Sequence, residues 1–182
     1  MEAAKRSGII MKLSHLLLSA WLLSAGSLGY AQSPADGPNP DVIVKKLYAA
    51  QKAGDGPFFQ TENRAVVDKY FTRELANLIW NDAVKAGGEV GAIDFDPLFG
   101  SQDPQITDFE IMETGWGGDD KFGAEDKAVV QVTFKNAGEE QMVSFQFRQG
   151  KNKQWKIEDI RYPNSDDLLL KELLTKAAHA GN

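Results

Sequence analysis

The chain contains no cysteine and only two histidines in 182 residues. Without cysteine there is no disulfide framework, no thiolate nucleophile, no thiolate metal site and no lipid attachment at a processed N-terminus. His15 falls in the N-terminal apolar region and His179 in the last few residues, where chains usually fray. The body of the chain therefore has no imidazole, and neither a Ser-His-Asp triad nor a His-ligated zinc site has anything to stand on. Positive charge is also in short supply: 20 Lys and Arg face 26 Asp and Glu, a net of −6. Such a surface repels phosphate backbones and anionic lipid heads, which argues against nucleic-acid and membrane-surface binding. No apolar run approaches the ~20 residues of a comfortable membrane span. What chemistry remains must run on carboxylates, tyrosines and lysines.

What is present, first of all, is an address. Lys12 precedes the apolar run Leu16 to Leu23, followed by small residues and Gly29-Tyr30-Ala31. A basic region, a short apolar region and small residues at the −3 and −1 places make a secretory signal peptide, with cleavage expected after Ala31. Translation from Met11 leaves a more compact signal than translation from Met1. Removing 31 of the 182 residues leaves 151, the size of one domain. It also removes Lys5, Arg6, Lys12 and Glu2, leaving 17 basic against 25 acidic residues, a net of −8. That charge keeps an exported domain soluble. The expected location is secreted or periplasmic, with no membrane anchor after cleavage.

The expected organisation is a signal peptide over 1–31, a flexible leader over 32–40 and one α+β domain over 41–178. Asn39 can cap a first helix, with Pro40 at its first position and Asp41 complementing the dipole. Val42, Ile43, Leu47 and Tyr48 supply its apolar stripe, and Gly54-Asp55-Gly56-Pro57 breaks it. A second helix is expected from Glu62 to Tyr70. A third is expected to be capped by Thr72, to pack through Leu75, Leu78, Ile79 and Trp80, and to stop at Gly87-Gly88. From Ile106 the period becomes two, as in Phe109 and Ile111, then Val130, Val132 and Phe134, then Val143, Phe145 and Phe147. Asn136-Ala137-Gly138 and Gly150 turn the chain between strands, and Trp155 to Tyr162 forms a last one. Ser165 is expected to cap a C-terminal helix carrying Leu168, Leu169, Leu170, Leu173 and Leu174. Helices first and strands after imply an α+β fold, with N-terminal helices on a curled four-stranded antiparallel sheet that leaves a concavity.

This order of elements resembles the nuclear transport factor 2-like superfamily of cone-shaped α+β folds. Tyr70-Phe71-Thr72-Arg73-Glu74-Leu75, the loop Asp94-Phe95-Asp96-Pro97-Leu98-Phe99, Gln102-Asp103 and Trp155-Lys156-Ile157 resemble domain-of-unknown-function family 3828 (DUF3828) over roughly 42–162. Members of that family are secreted or periplasmic bacterial proteins without an established activity, so the resemblance implies fold and location and no mechanism.

Two segments are candidates for a site. In the first, Asp94, Asp96, Gln102 and Asp103 offer oxygen ligands that suit a hard cation, although the spacing is not that of an EF-hand. The same residues can instead satisfy backbone groups of a long loop while Phe95, Leu98 and Phe99 plug the core. Tyr48 and Tyr70 supply donor types that, with Asp94 or Asp96, suit a carboxylate base of the ketosteroid isomerase kind, an analogy at the level of fold. In the second, Trp116 stands among glycines between Gly115 and Gly123 and is either an exposed contact residue or folded on the sheet edge. Three readings follow: a non-enzymatic domain binding an envelope protein or small ligand through its sheet concavity, with Asp94, Asp96, Gln102, Asp103, Tyr70 and Trp116 as candidate ligand-binding residues; a carboxylate-dependent lyase or isomerase for a small apolar substrate; and, if a sheet face is apolar and open, a homodimer. No cofactor and no metal are expected.

Overall fold

Asn39 and Pro40 open the first helix, α1 (Pro40–Lys52), as their spacing predicts. The structure, a computed structural model, describes residues 38–116 and 126–180, apart from the side chains of 113–116. The expected signal peptide, residues 32–37 of the leader, the side chain of Trp116 and most of the Gly115–Gly123 loop lie outside the described residues. All described elements belong to one unit, Ser33–Asn182.

In α1 the buried face is Ile43, Val44 and Leu47, with Tyr48 half-buried beside them; Val44 takes the place expected of Val42. The Asn39 side chain makes no capping bond, and its carbonyl accepts from the Ile43 amide at 3.1 Å. Helix α2 (Arg64–Tyr70) begins two residues later than expected. Lys156 of the sheet donates to the carbonyls of Asp68 and Lys69 at its far end, supplying a cation where the dipole favours one. Helix α3 (Arg73–Ala86) stops at Gly87, whose left-handed φ of 59° ends it as the sequence predicts.

Thr72, the expected cap of α3, does not cap with its side chain; its Oγ1 is buried without a partner. The backbone explains why: Phe71 bridges to Ile157, and the Thr72 amide donates to the Ile157 carbonyl at 2.9 Å. Trp80, expected in the core, is half-buried with the Arg64 guanidinium 5.6 Å from its ring centre, whereas Trp155 is buried as expected.

The sheet has five strands rather than four, in the order β1-β2-β3-β4-β5 and antiparallel throughout: β1 (Ile106–Trp116), β2 (Lys127–Asn136), β3 (Glu139–Gln149), β4 (Trp155–Tyr162) and β5 (Leu168–Leu169). The additional strand is the start of the expected C-terminal helix. Leu168 and Leu169 pair with Tyr162 and Arg161, and α4 (Leu170–Ala180) follows at once. Ser165 sits in a turn instead of capping, because Asp166 and Asp167 take left-handed φ angles of 51° and 61° that reverse the chain. Helix α4 is capped across the fold: Asp159, buried in β4, accepts the Lys171 amide at 3.0 Å as well as its own neighbour Ile160 at 2.8 Å.

Two bulges keep the apolar residues on one face. In β1 the register slips between Thr107 and Glu110, where Asp108 has φ 50°, so Ile106 and then Ile111 both face inward despite their odd spacing. In β4 the slip at Glu158 does the same for Ile157 and Ile160. The inner face, including Val132, Phe145, Phe147, Ile157 and Ile160, is almost wholly buried. Each such side chain contributes roughly 1.5–3 kcal/mol of transfer free energy. Helix α1 packs on β1 and β2, and the other three helices on β4. Among the described residues, packed side chains cover the sheet's inner face where a concavity was expected.

Candidate functional site

The segment from Ala92 to Asp103 is built from its carboxylates outward. Asp82 on α3 accepts the Ala92 and Ile93 amides at 2.9 and 3.2 Å and fixes where the loop leaves the helix. Asp96 then folds it. Its Oδ1 accepts the Leu98 amide at 2.8 Å, an Asx turn. Its carbonyl accepts Phe99 and Gly100, and its amide donates to Ser101. Two tyrosines hold the tip: Tyr48 donates to the Leu98 carbonyl at 2.6 Å and Tyr162 to the Pro97 carbonyl at 2.9 Å. Phe99 stacks edge-on with Tyr48 and Phe134, and Phe95 edge-on with Tyr162. The loop is a plug, and Pro97 and Leu98 are buried at its centre.

Burial sets the electrostatics here. It raises the Asp96 carboxyl above its ordinary range, against the opposing Leu98 amide. It raises the Tyr48 hydroxyl strongly, with the Asp96 charge adding to it. Tyr162 is raised in the same way, by burial first and then by Tyr48, Asp159 and Asp96. Both hydroxyls are therefore neutral donors and both are spent on loop carbonyls. Neither Tyr48 nor Tyr162 thus has its hydroxyl proton directed to a substrate.

Asp94, Asp96 and Gln102 do come together. They line one open groove of about 420 Å³ with Phe59, Val90 and Phe95, within the size range of ligand sites. The Gln102 amide lies 3.5 Å from the Asp94 carboxylate. Glu89 adds a further acid, and no Lys or Arg is among the described residues that line the groove. The other candidates lie elsewhere. Asp103 is exposed and outside the groove. Tyr70 is buried in the core on α2, with its ring against Phe71 and its hydroxyl 3.5 Å from the Lys46 carbonyl. Period-3.6 packing claimed Tyr70 for the interior. Among the described residues no three His, Asp or Glu side chains gather with metal-holding geometry.

Phe59 and Val90 escaped the sequence reading. Phe59 follows the Gly54–Pro57 breaker, next to Phe58, and only Phe58 enters the core; adjacent aromatics outside a regular element do not reveal which one turns inward. Val90 stands alone between Glu89 and Gly91, an isolated apolar residue without a period.

No family model matches this chain, and no curated protein matches it. Among solved structures, the phospholipid-binding protein from Ralstonia solanacearum, solved in complex with a phospholipid, is similar with a TM-score of 0.34 and 15% identity, over 78% of this chain and 75% of that one. A likeness at that level carries no inference about what this chain binds.

Proposed function

We propose that this chain is an exported, non-enzymatic binding domain of the DUF3828 kind, within the nuclear transport factor 2-like superfamily, that holds an envelope protein or a small ligand at the Asp94–Gln102 groove. The observation that carries this reading is the convergence of Asp94, Asp96 and Gln102 on one open groove with exposed Phe59 and Val90. A large apolar side chain kept in water beside orienting polar groups is what a recognition surface requires. The order of three helices followed by an antiparallel meander supports the family reading, and the Lys12–Ala31 stretch supports export. The lyase or isomerase reading draws less support. Asp96 opens on a shallow groove rather than a closed apolar cavity, and one of its oxygens is engaged by the Leu98 amide.

The test is site-specific photo-crosslinking of the tagged full chain in its native host. A photoreactive residue at Gln102 is expected to capture a discrete partner or ligand from the envelope fraction, and the recovered protein is expected to begin at Gln32. The same probe at Lys151, in the β3–β4 turn, is expected to capture nothing. Retention of residues 1–31 in the cytoplasm overturns the export reading, and equal capture at both positions overturns the site.

A further inference from the structure

A second groove of about 570 Å³ lies between α3 and α4, lined by Leu78, Val84, Ala86, Leu174, Ala177 and Ala178 among others. It is richer in apolar side chains than the Asp94–Gln102 groove. The two share Val90, and the 88–91 turn forms the ridge between them. Among the described residues the exposed large apolar side chains are Phe59, Val84, Val90 and Phe109, and the first three line this pair of grooves. Val90 on the ridge is the most exposed of them, at 77%. Isolated exposed apolar residues are ordinary; several on one continuous track mark a contact surface.

The track has a polarity. At the α3–α4 end the one acid, Asp82, is turned to the Ala92 and Ile93 amides, which it accepts, and is matched by one cation, Lys85. At the other end stand Glu89, Asp94 and Asp96 without a lining cation. An occupant that covers both ends must be apolar at one and positive at the other. The surface is open along its length, which suits a chain segment rather than an enclosed small molecule.

We infer that the joined grooves dock an extended or helical segment of a partner protein, with its apolar side chains between α3 and α4 and a Lys or Arg beyond the Val90 ridge against Glu89 and Asp94. This deepens the binding reading above and rests on it for the acidic end only. Apolar contacts supply most of the affinity, and the charge pair fixes direction and partner choice.

The experiment is amide NMR of the full chain titrated with three synthetic peptide amides: one with two leucines followed by two lysines, one with glutamates in place of the lysines, and one with serines in place of the leucines. The leucine–lysine peptide is expected to shift amides at both ends, around Val84 and Ala177 and around Glu89 and Gln102. Its affinity is expected to fall about tenfold in Val90→Glu, a loss typical of a central contact residue. In Glu89→Gln/Asp94→Asn it is expected to fall severalfold and lose its salt dependence. All three substitutions are at exposed positions, so the fold is retained. Shifts confined to the Asp94–Gln102 groove overturn the two-groove segment and leave the binding reading standing. Shifts confined to the α3–α4 groove overturn the two-groove segment and its acidic end, and the crosslinking at Gln102 then decides the binding reading by itself. Equal binding of the glutamate peptide overturns the charge assignment, and no shift with any peptide overturns the inference.

Discussion

Tyr48 on α1 and Tyr162 on β4 donate their hydroxyls to adjacent carbonyls of one loop, Tyr48 to Leu98 at 2.6 Å and Tyr162 to Pro97 at 2.9 Å. Residues more than a hundred apart in sequence thereby close on the same two peptide units, and the plug is locked to helix and sheet together. Tyr162→Phe leaves the buried Pro97 carbonyl unpaired and is expected to lower unfolding free energy by roughly 1–3 kcal/mol. Tyr48→Phe is expected to cost less, because Tyr48 itself is only half-buried, which leaves its end of the bond nearer to water. Urea denaturation of both variants gives the order; an equal or reversed order counts against the clamp.

Gly100 has φ 63°, and a Cβ placed there would lie 2.8 Å from Cδ1 of Tyr162. Gly100→Ala combines a left-handed backbone penalty of roughly 1–2 kcal/mol with a collision against a buried ring that has no room to yield. A clear loss of thermal stability is expected, measured by the unfolding midpoint. Gly138→Ala, also at positive φ but facing open space, is expected to lose only the backbone part.

Asp108 sits at φ 50° in the β1 bulge and pairs with Lys135 at 2.8 Å on the surface. Asp108→Gly relieves the backbone and gives up a solvent-exposed ion pair of little worth, so it is expected to be neutral or mildly stabilising. Asp108→Val, β-branched at a left-handed position, is expected to destabilise by about 2 kcal/mol. Thermal melts of the two variants check this: a midpoint for Asp108→Gly at or above that of the native protein and a lowered one for Asp108→Val are expected.

Asp159 is buried and its carboxyl is raised, burial outweighing the Lys171 and Ile160 amides. At a pH between the ordinary 3.8 and its raised folded-state value, the folded state therefore holds more of this proton than the unfolded chain does. This group's contribution to stability grows as pH falls from the folded-state pKa toward the ordinary 3.8, and is lost as pH rises. Asp159→Asn keeps an oxygen acceptor for both amides and cannot titrate. Relative to it, the native protein is expected to gain stability between neutral pH and about pH 4, measured as the difference between two urea titration series. A gap that widens in the other direction removes the burial argument. Asp159→Ala, which orphans the Lys171 amide at the start of α4 and the Ile160 amide of β4, is expected to be less stable than either at every pH.

Much of this molecule follows from its sequence alone. The breaks at Gly54–Pro57 and Gly87, the 3.6-residue stripes of α1 and α3, and the alternation of Val130 to Phe134 and of Val143 to Phe147 determined three helices, a meander and an α+β fold, because period and turn chemistry are local properties of a chain. The absence of cysteine and of central histidine determined which chemistries have no residues to run on. Other features were decided only in three dimensions. Leu168 and Leu169 fit a helix by pattern, but the Tyr162–Arg161 edge offered unpaired backbone and took them as a strand. Thr72 has the side chain of a cap, but the bridge at Ile157 claimed its backbone. Asp94, Asp96 and Gln102 met Phe59 and Val90, and Tyr70 did not, because a groove gathers residues from loops whose mutual placement depends on the packed core beneath them, and no short-range pattern records that placement.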